Sequence, residues 1–201
     1  MGTRGLTAVV ADGSYRIAQY GQWDHYPSGQ GVTVRDFLVG MNEPHFRAQL
    51  AKCRWITEEE IDTANEAAGI AKGDEWITMD QSTRFYAQPA VRFLTRDHGA
   101  QILQIVNDAP EDTIRLLNSI DFAGDSLFCE YAYVVDFDKR TFEVYKGFNK
   151  APVPNGERFA KAPLDEDAGG YQPIRLLATF SLDALPSEDE FLAACGVKEN
   201  T

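Results

Sequence analysis

MGTRGLTAVVADGSYRIAQYGQWDHYPSGQG, residues 1–31, holds two short strand-like runs around a turn dipeptide. Leu6, Thr7, Ala8, Val9 and Val10 form the first run. Asp12-Gly13 follows, and Tyr15, Ile17, Ala18 and Tyr20 form the second. Asp-Gly between such runs signals a β-hairpin, because glycine accepts the positive φ that the turn requires. The hairpin begins almost at the first residue and sets Thr3 at the mouth of its first strand. It delivers the chain to Gln22-Trp23-Asp24-His25-Tyr26-Pro27-Ser28-Gly29, a loop of polar and aromatic side chains.

Beyond this segment the chain alternates between helical and strand patterns. Thr33 to Leu38 reads as a helix start with Thr33 as N-cap. Phe46, Leu50, Cys53 and Ile56 give residues 43–56 a helical spacing. Thr57 followed by Glu58, Glu59 and Glu60 opens another helix, ending near Gly69 or Gly73. Residues 74–90 stay undecided. Asp97 reads as the cap of a helix over 98–107, Pro110-Glu111-Asp112 as the start of a short one, and Asp121 to Asp125 as a turn. Residues 128–146 alternate as a hairpin rich in aromatic and β-branched residues. Residues 148–173, with four prolines and three glycines, form a long loop. Ile174 to Phe180 reads as a final strand and 187–195 as a closing helix.

A length of 201 residues, 44% of them hydrophobic, suits one globular domain over 1–201 with a substantial core. The formal net charge of -12 disfavours nucleic acid as a partner, because no basic cluster offsets the repulsion of phosphates. Cys53, Cys129 and Cys195 are widely spaced and lack CxxC pairing, so each is expected to be a small buried residue. No apolar stretch has the length of a membrane span, and the N-terminus lacks the build of a signal peptide. A cytoplasmic protein with no membrane partner is expected; a homo-oligomer is left open.

The opening pattern resembles the mature start of N-terminal-nucleophile (Ntn) hydrolases, proteasome β-type subunits in particular. In those proteins a glycine precedes the nucleophilic threonine, and an apolar strand, an Asp-Gly turn, a second strand and an Ala-Asp pair follow. Gly2-Thr3, Leu6 to Val10, Asp12-Gly13 and Ile17-Ala18-Gln19 stand in the same register. The resemblance covers roughly a tenth of the chain. It implies an α/β (α+β) fold, an Ntn-hydrolase-like α/β/β/α sandwich with mainly antiparallel sheets. It also implies an amidohydrolase with Thr3 as nucleophile. Cleavage of the Gly2-Thr3 bond would free an α-amino group that titrates near ~8 and can act as the base. Gln19 stands where the family has its acid, and Lys52 is the first lysine, so the family's lysine is missing here; Asp24 is the candidate replacement acid. The chain as a whole also resembles an uncharacterised bacterial and phage-associated family, through Gly2-Thr3-Arg4-Gly5-Leu6, Gln22-Trp23-Asp24, Arg96-Asp97-His98-Gly99 and Tyr131-Ala132-Tyr133-Val134-Val135-Asp136. That resemblance implies no activity.

Two clusters carry the ligand-binding candidates: Arg4, Trp23, His25 and Tyr26 near the N-terminus, and Arg96 and His98 farther along. Trp23-Asp24-His25-Tyr26 reads either as the wall of a small-molecule pocket or as aromatic cover for the sheet edge, with Asp24 accepting backbone hydrogen bonds. Arg96-Asp97-His98 reads either as an anion site at a helix start or as a cap with its surface ion partner. The three histidines, His25, His45 and His98, show no HxH or HxxxH pair, so no metal is expected. With no P-loop and no dinucleotide fingerprint, no cofactor is implied. Asp165-Glu166-Asp167 reads as a solvated loop. The function expected is an amidohydrolase acting on an amide bond of a small molecule or peptide. The alternative is a non-catalytic binding protein on the same scaffold, taking a small molecule or protein and acting in phage–host conflict.

Overall fold

The computed structural model describes residues 2–74, 76–164 and 169–197, so Asp165-Glu166-Asp167 lies outside the described residues. Strand β1, Gly5–Ala11, pairs antiparallel with β2, Ser14–Gly21. Between them Asp12 has φ 55° and Gly13 φ 73°. Two consecutive positive-φ residues make the turn whose twist matches that of the flanking strands. The Asp138 carboxylate accepts from the backbone N–H groups of Asp12 and Gly13 at 3.0 and 2.8 Å. It ties this turn to the one between β5, Tyr131–Asp136, and β6, Thr141–Lys146. β1 runs parallel to β5, and β6 pairs antiparallel with β5 and with β7, Arg175–Ser181. The five-stranded order is therefore β2-β1-β5-β6-β7, and strands from the two ends of the chain share one sheet.

All seven residues of β1 are buried. A central strand covered on both faces reads as a continuous apolar run, and Leu6 to Ala11 is one. Val9, Ile17, Tyr133, Val135 and Phe142 pack on one face against four helices: α1 (Val32–Gly40), α2 (Glu43–Leu50), α5 (Ile102–Asn107) and α6 (Glu188–Ala194). The other face, with Leu6, Ala8, Val10, Ala132, Val134 and Tyr145, is covered by Ala123, Cys129, Phe159 and Ile174. Those covering residues come from a short 3-10 helix, Ile120–Gly124, and from turns and loops rather than strands. The other sheet of the described chain is a parallel pair, β3 (Cys53–Trp55) with β4 (Ile114–Leu116). The architecture is thus mixed α+β, built on a mostly antiparallel five-stranded sheet.

Helix α3, Glu58–Ala68, has the expected start and stop. The Thr57 hydroxyl accepts from Glu60 N–H, the Glu60 carboxylate accepts from Thr57 N–H, and Gly69 takes φ 75° to end the helix. The undecided segment holds a helix with the same device. Thr78 and Gln81 cap α4, Met79–Tyr86.

Three expectations are corrected. Thr33 is not an N-cap: a wide turn, Pro27–Gly31, runs directly into α1, and the Thr33 hydroxyl donates to the Gly29 carbonyl at 3.2 Å. The helix over 43–56 stops at Leu50, because Cys53–Trp55 pairs with β4 instead. Pro110-Glu111-Asp112 opens no helix; the chain passes straight into β4. In both of the last two cases a pairing distant in sequence overrides local propensity.

Candidate functional site

The site is built where β1 starts and β2 ends. Gly5 and Gly21 are cross-strand partners. The His25 ring lies across this pair of glycines: a Cβ on Gly5 would fall 2.4 Å from its Cδ2, and one on Gly21 would fall 2.0 Å from its Cε1. Both glycines leave room for one imidazole, and at Gly5 the Tyr131 carbonyl, 2.2 Å from the Cβ position, excludes a side chain as well. His25 is 0% exposed. Its Nδ1 lies 3.2 Å from the Trp23 carbonyl. A carbonyl only accepts, so Nδ1 carries the proton and Nε2 is a bare lone pair with no partner. Burial pushes the imidazole pKa down to about 4, against a smaller opposing effect of the Trp23 carbonyl. The His25 backbone fastens the loop to the sheet. Its N–H donates to the Thr3 carbonyl at 3.2 Å, and its carbonyl accepts from the Tyr133 hydroxyl at 2.7 Å.

Beside this anchor opens a cleft of about 510 Å³, lined by Gly2, Arg4, Tyr20, Gln22, Trp23 and Arg96. The Arg4 guanidinium stacks over the Phe128 ring at 4.1 Å, and its backbone exchanges hydrogen bonds with Glu130. Trp23 is half-exposed. Its Nε1–H donates to the Asp97 carboxylate at 3.3 Å, which ties the two sequence clusters together. Gly2 lies directly on the indole, where a Cβ would come within 2.2 Å of Cε3. The Tyr20 ring is held edge-on by Phe122 at 5.0 Å.

The charge arrangement singles this cleft out. Among the described residues, every arginine except Arg4 and Arg96 has a carboxylate within ion-pair distance. Both exceptions line the cleft. In a chain of net charge -12, these two guanidinium groups stand beside aromatic faces, with the carboxylates of Asp97 and Glu130 close by on Trp23 and on the Arg4 backbone.

The structure thus brings Arg4, Trp23 and Arg96 together and sets the other candidates elsewhere. Thr3 is 2% exposed, and its hydroxyl has no hydrogen-bond partner. It stands between the lining residues Gly2 and Arg4 without lining the cleft. The alternation of β1, carried back to Thr3, sets its side chain on the face opposite Arg4. Asp24 is exposed in a left-handed conformation, φ 55°. Its backbone carbonyl, rather than its carboxylate, closes the turn by accepting from Gln30 N–H at 2.9 Å. No hydrogen bond joins Asp24 to Thr3 among the described residues. The half-exposed Tyr26 packs against Tyr131, ring centroids 6.3 Å apart.

Around residue 97, Asp97 holds Trp23 instead of capping a helix. The half-buried His98 has Nε2 3.3 Å from the Arg92 carbonyl, and burial lowers its pKa. Ala100 N–H, which an anion at this helix start would need, already donates to the Gln30 side chain at 2.8 Å. All three cysteines are buried free thiols. Burial raises each pKa, to about 12 for Cys53 and about 11 for Cys195, which makes them poor nucleophiles.

The sequence singles out neither Gly2 nor Tyr20 as a lining residue, whereas Gln22 belongs to the loop 22–29 expected to form part of the pocket. Tyr20 and Gln22 are two apart at a strand end, and so share the face that Arg4 occupies across the ladder. That alternation was the signal for them. No family model, no curated protein and no solved structure matches this chain.

Proposed function

We propose that the protein binds a small anionic molecule in the cleft at the start of β1. Its carboxylate or phosphate meets Arg4 and Arg96, and its flat portion lies against Trp23 and Tyr20. The observation that carries this reading is a pair of arginines that line one cleft and have no carboxylate within ion-pair distance among the described residues. Guanidinium groups suit such ligands because their planar donor array matches two anionic oxygens. The cleft volume falls in the range of small-molecule sites. His25 acts as the scaffold that sets Trp23, since its buried ring cannot reach a ligand. Calorimetric titration with inorganic phosphate, benzoate and a nucleoside monophosphate tests the proposal. At least one should bind, with Arg4→Ala and Arg96→Ala each weakening it by ~10-fold or more, and Thr3→Ala leaving it unchanged. Unaltered affinity in both arginine variants, or no binding of any of these anions, refutes it.

A second reading, amidohydrolase activity on an amide bond of a small molecule or peptide, draws on Gly2 and Thr3. Gly2, which cleavage would release, is itself a lining residue, and the Thr3 hydroxyl has no competing partner. Loss of Gly2 would place a Thr3 amine at the cleft wall, where it could serve as base for its own hydroxyl. This reading takes with it the finer architecture of an Ntn-type α/β/β/α sandwich. Intact-mass spectrometry separates the two: a chain starting at Thr3 supports the hydrolase, and an uncut Gly2-Thr3 bond removes its base.

A further inference from the structure

On the α3–α4 hairpin, away from the cleft, apolar side chains face solvent. α4 has no buried residue. It is fastened to α3 by polar contacts: Gln81 Nε2 donates to the Gly69 carbonyl at 2.6 Å and Gln88 Nε2 to the Ala64 carbonyl at 2.8 Å. Trp76 is 87% exposed and Met79 85%, with Ile77 and Tyr86 also exposed. A groove of about 270 Å³ runs between the helices, lined by Asn65, Ile70, Ile77, Met79, Phe85 and Tyr86. Tryptophan, tyrosine and methionine are the side chains enriched at interface centres, and contiguous exposed apolar groups of this kind mark interaction surfaces.

The charge around this groove identifies its occupant. The described residues of the stretch 58–86 include seven acids and two bases, in a chain of net charge -12. Both bases are already engaged, Lys72 with Asp62 at 3.9 Å and Arg84 with Asp80 at 2.8 Å, and of the acids Glu60 is held by Arg54 and Arg115 from outside the stretch. Glu58, Glu59 and Glu66 have no cationic partner among the described residues. A second copy would set one acidic rim against another, and nucleic acid or an anionic membrane would be repelled in the same way.

We infer that the α3–α4 groove docks a basic amphipathic helix of a partner protein, its apolar side on Trp76, Ile77, Met79 and Tyr86 and its lysines or arginines toward the acidic rim. An amphipathic helix in an apolar groove is a recurring recognition mode, and opposite charge on the rim sets its partner. The surface is separate from the anion cleft, and its test is independent of that reading.

The test uses the full chain and a fluorescein-labelled amphipathic helical peptide of leucine and lysine, followed by anisotropy. A peptide of the same pattern with glutamate for lysine serves as comparison. The lysine peptide should bind and weaken as salt is raised. The double variant Trp76→Ser with Met79→Ser, whose altered side chains are exposed and leave the core intact, should weaken it by ~10-fold or more. Absence of lysine-peptide binding would overturn the inference. So would equal binding of the double variant, which would mean attraction by charge alone, or equal binding of the glutamate peptide. Self-association of the wild-type chain in sedimentation, abolished by the double variant, would assign the surface to a second copy and overturn it too.

Discussion

His25 shows what a single side chain costs this fold and what it sets in return. Its ring occupies space vacated by two glycines, with a bare Nε2 that no group satisfies. In the unfolded chain an imidazole takes up a proton below about 6.5; in the folded protein burial holds that event down to about 4. Between those values the unfolded state binds more protons, so stability falls as pH drops and is unaffected by this group above the window. Fully expressed at pH 4, the loss is about 3 kcal/mol. The imidazole resonances should titrate with a midpoint near 4, and urea midpoints should fall between pH 6.5 and 4. A midpoint near the ordinary histidine value would show that the ring is solvated and the slot open. At this scale, residue type was legible and residue setting was not. The sequence offers Arg4, Trp23 and Arg96 as ligand-binding candidates, and the structure sets all three around one cleft. It cannot show that Gly5 and Gly21 are partners, nor that the ring across them belongs to His25, because a glycine carries no trace of the neighbour that excludes its Cβ.

Among the elements, those with local signals were readable. The Asp12-Gly13 turn, the alternation over 131–146 and the Thr57/Glu60 box each encode their structure within a few residues. The parallel pair β3–β4 does not, since three-residue strands acquire meaning only from each other. α4 is the instructive miss, because Thr78 and Gln81 spell the same capping box as Thr57 and Glu60 but no apolar stripe follows to be buried. A helix without a core-facing side owes its stability to its cap and to α3. Thr78→Ala should therefore remove about 1 kcal/mol locally. Hydrogen exchange should report it as lost protection confined to 79–86, with the global denaturation midpoint unmoved. A shift of the global midpoint by the full amount would show that α4 unfolds with the core.

Across the whole molecule the two faces of the sheet are secured by different means. Four helices supply one face with apolar side chains, whereas the other is closed by turns and by the long loop, which brings Arg158 onto the strands. Arg158 donates to Asp136 and, through Nε at 2.7 Å, to Glu143, whose carboxylate also accepts from the Tyr145 hydroxyl at 2.7 Å. Burial alone would raise both carboxyl pKa values, but their hydrogen bonds with Arg158 hold them below the usual range. The overall charge of the chain could be counted in advance; its division into a compensated buried cluster, an acidic hairpin and two arginines without an ion pair among the described residues depends on distances that no spacing encodes. Removal of Arg158 would leave two carboxylates facing each other in a nearly closed site. Arg158→Met should cost about 3–5 kcal/mol at neutral pH and release the loop to proteolysis between residues 148 and 173. Adding Glu143→Gln should recover part of that loss, because it removes one of the stranded charges. Urea denaturation of the single and double variants decides the matter: a single variant as stable as wild type, or a double variant no better than the single, would mean that apolar contacts such as Phe159 against Tyr145 close this face without the ion cluster.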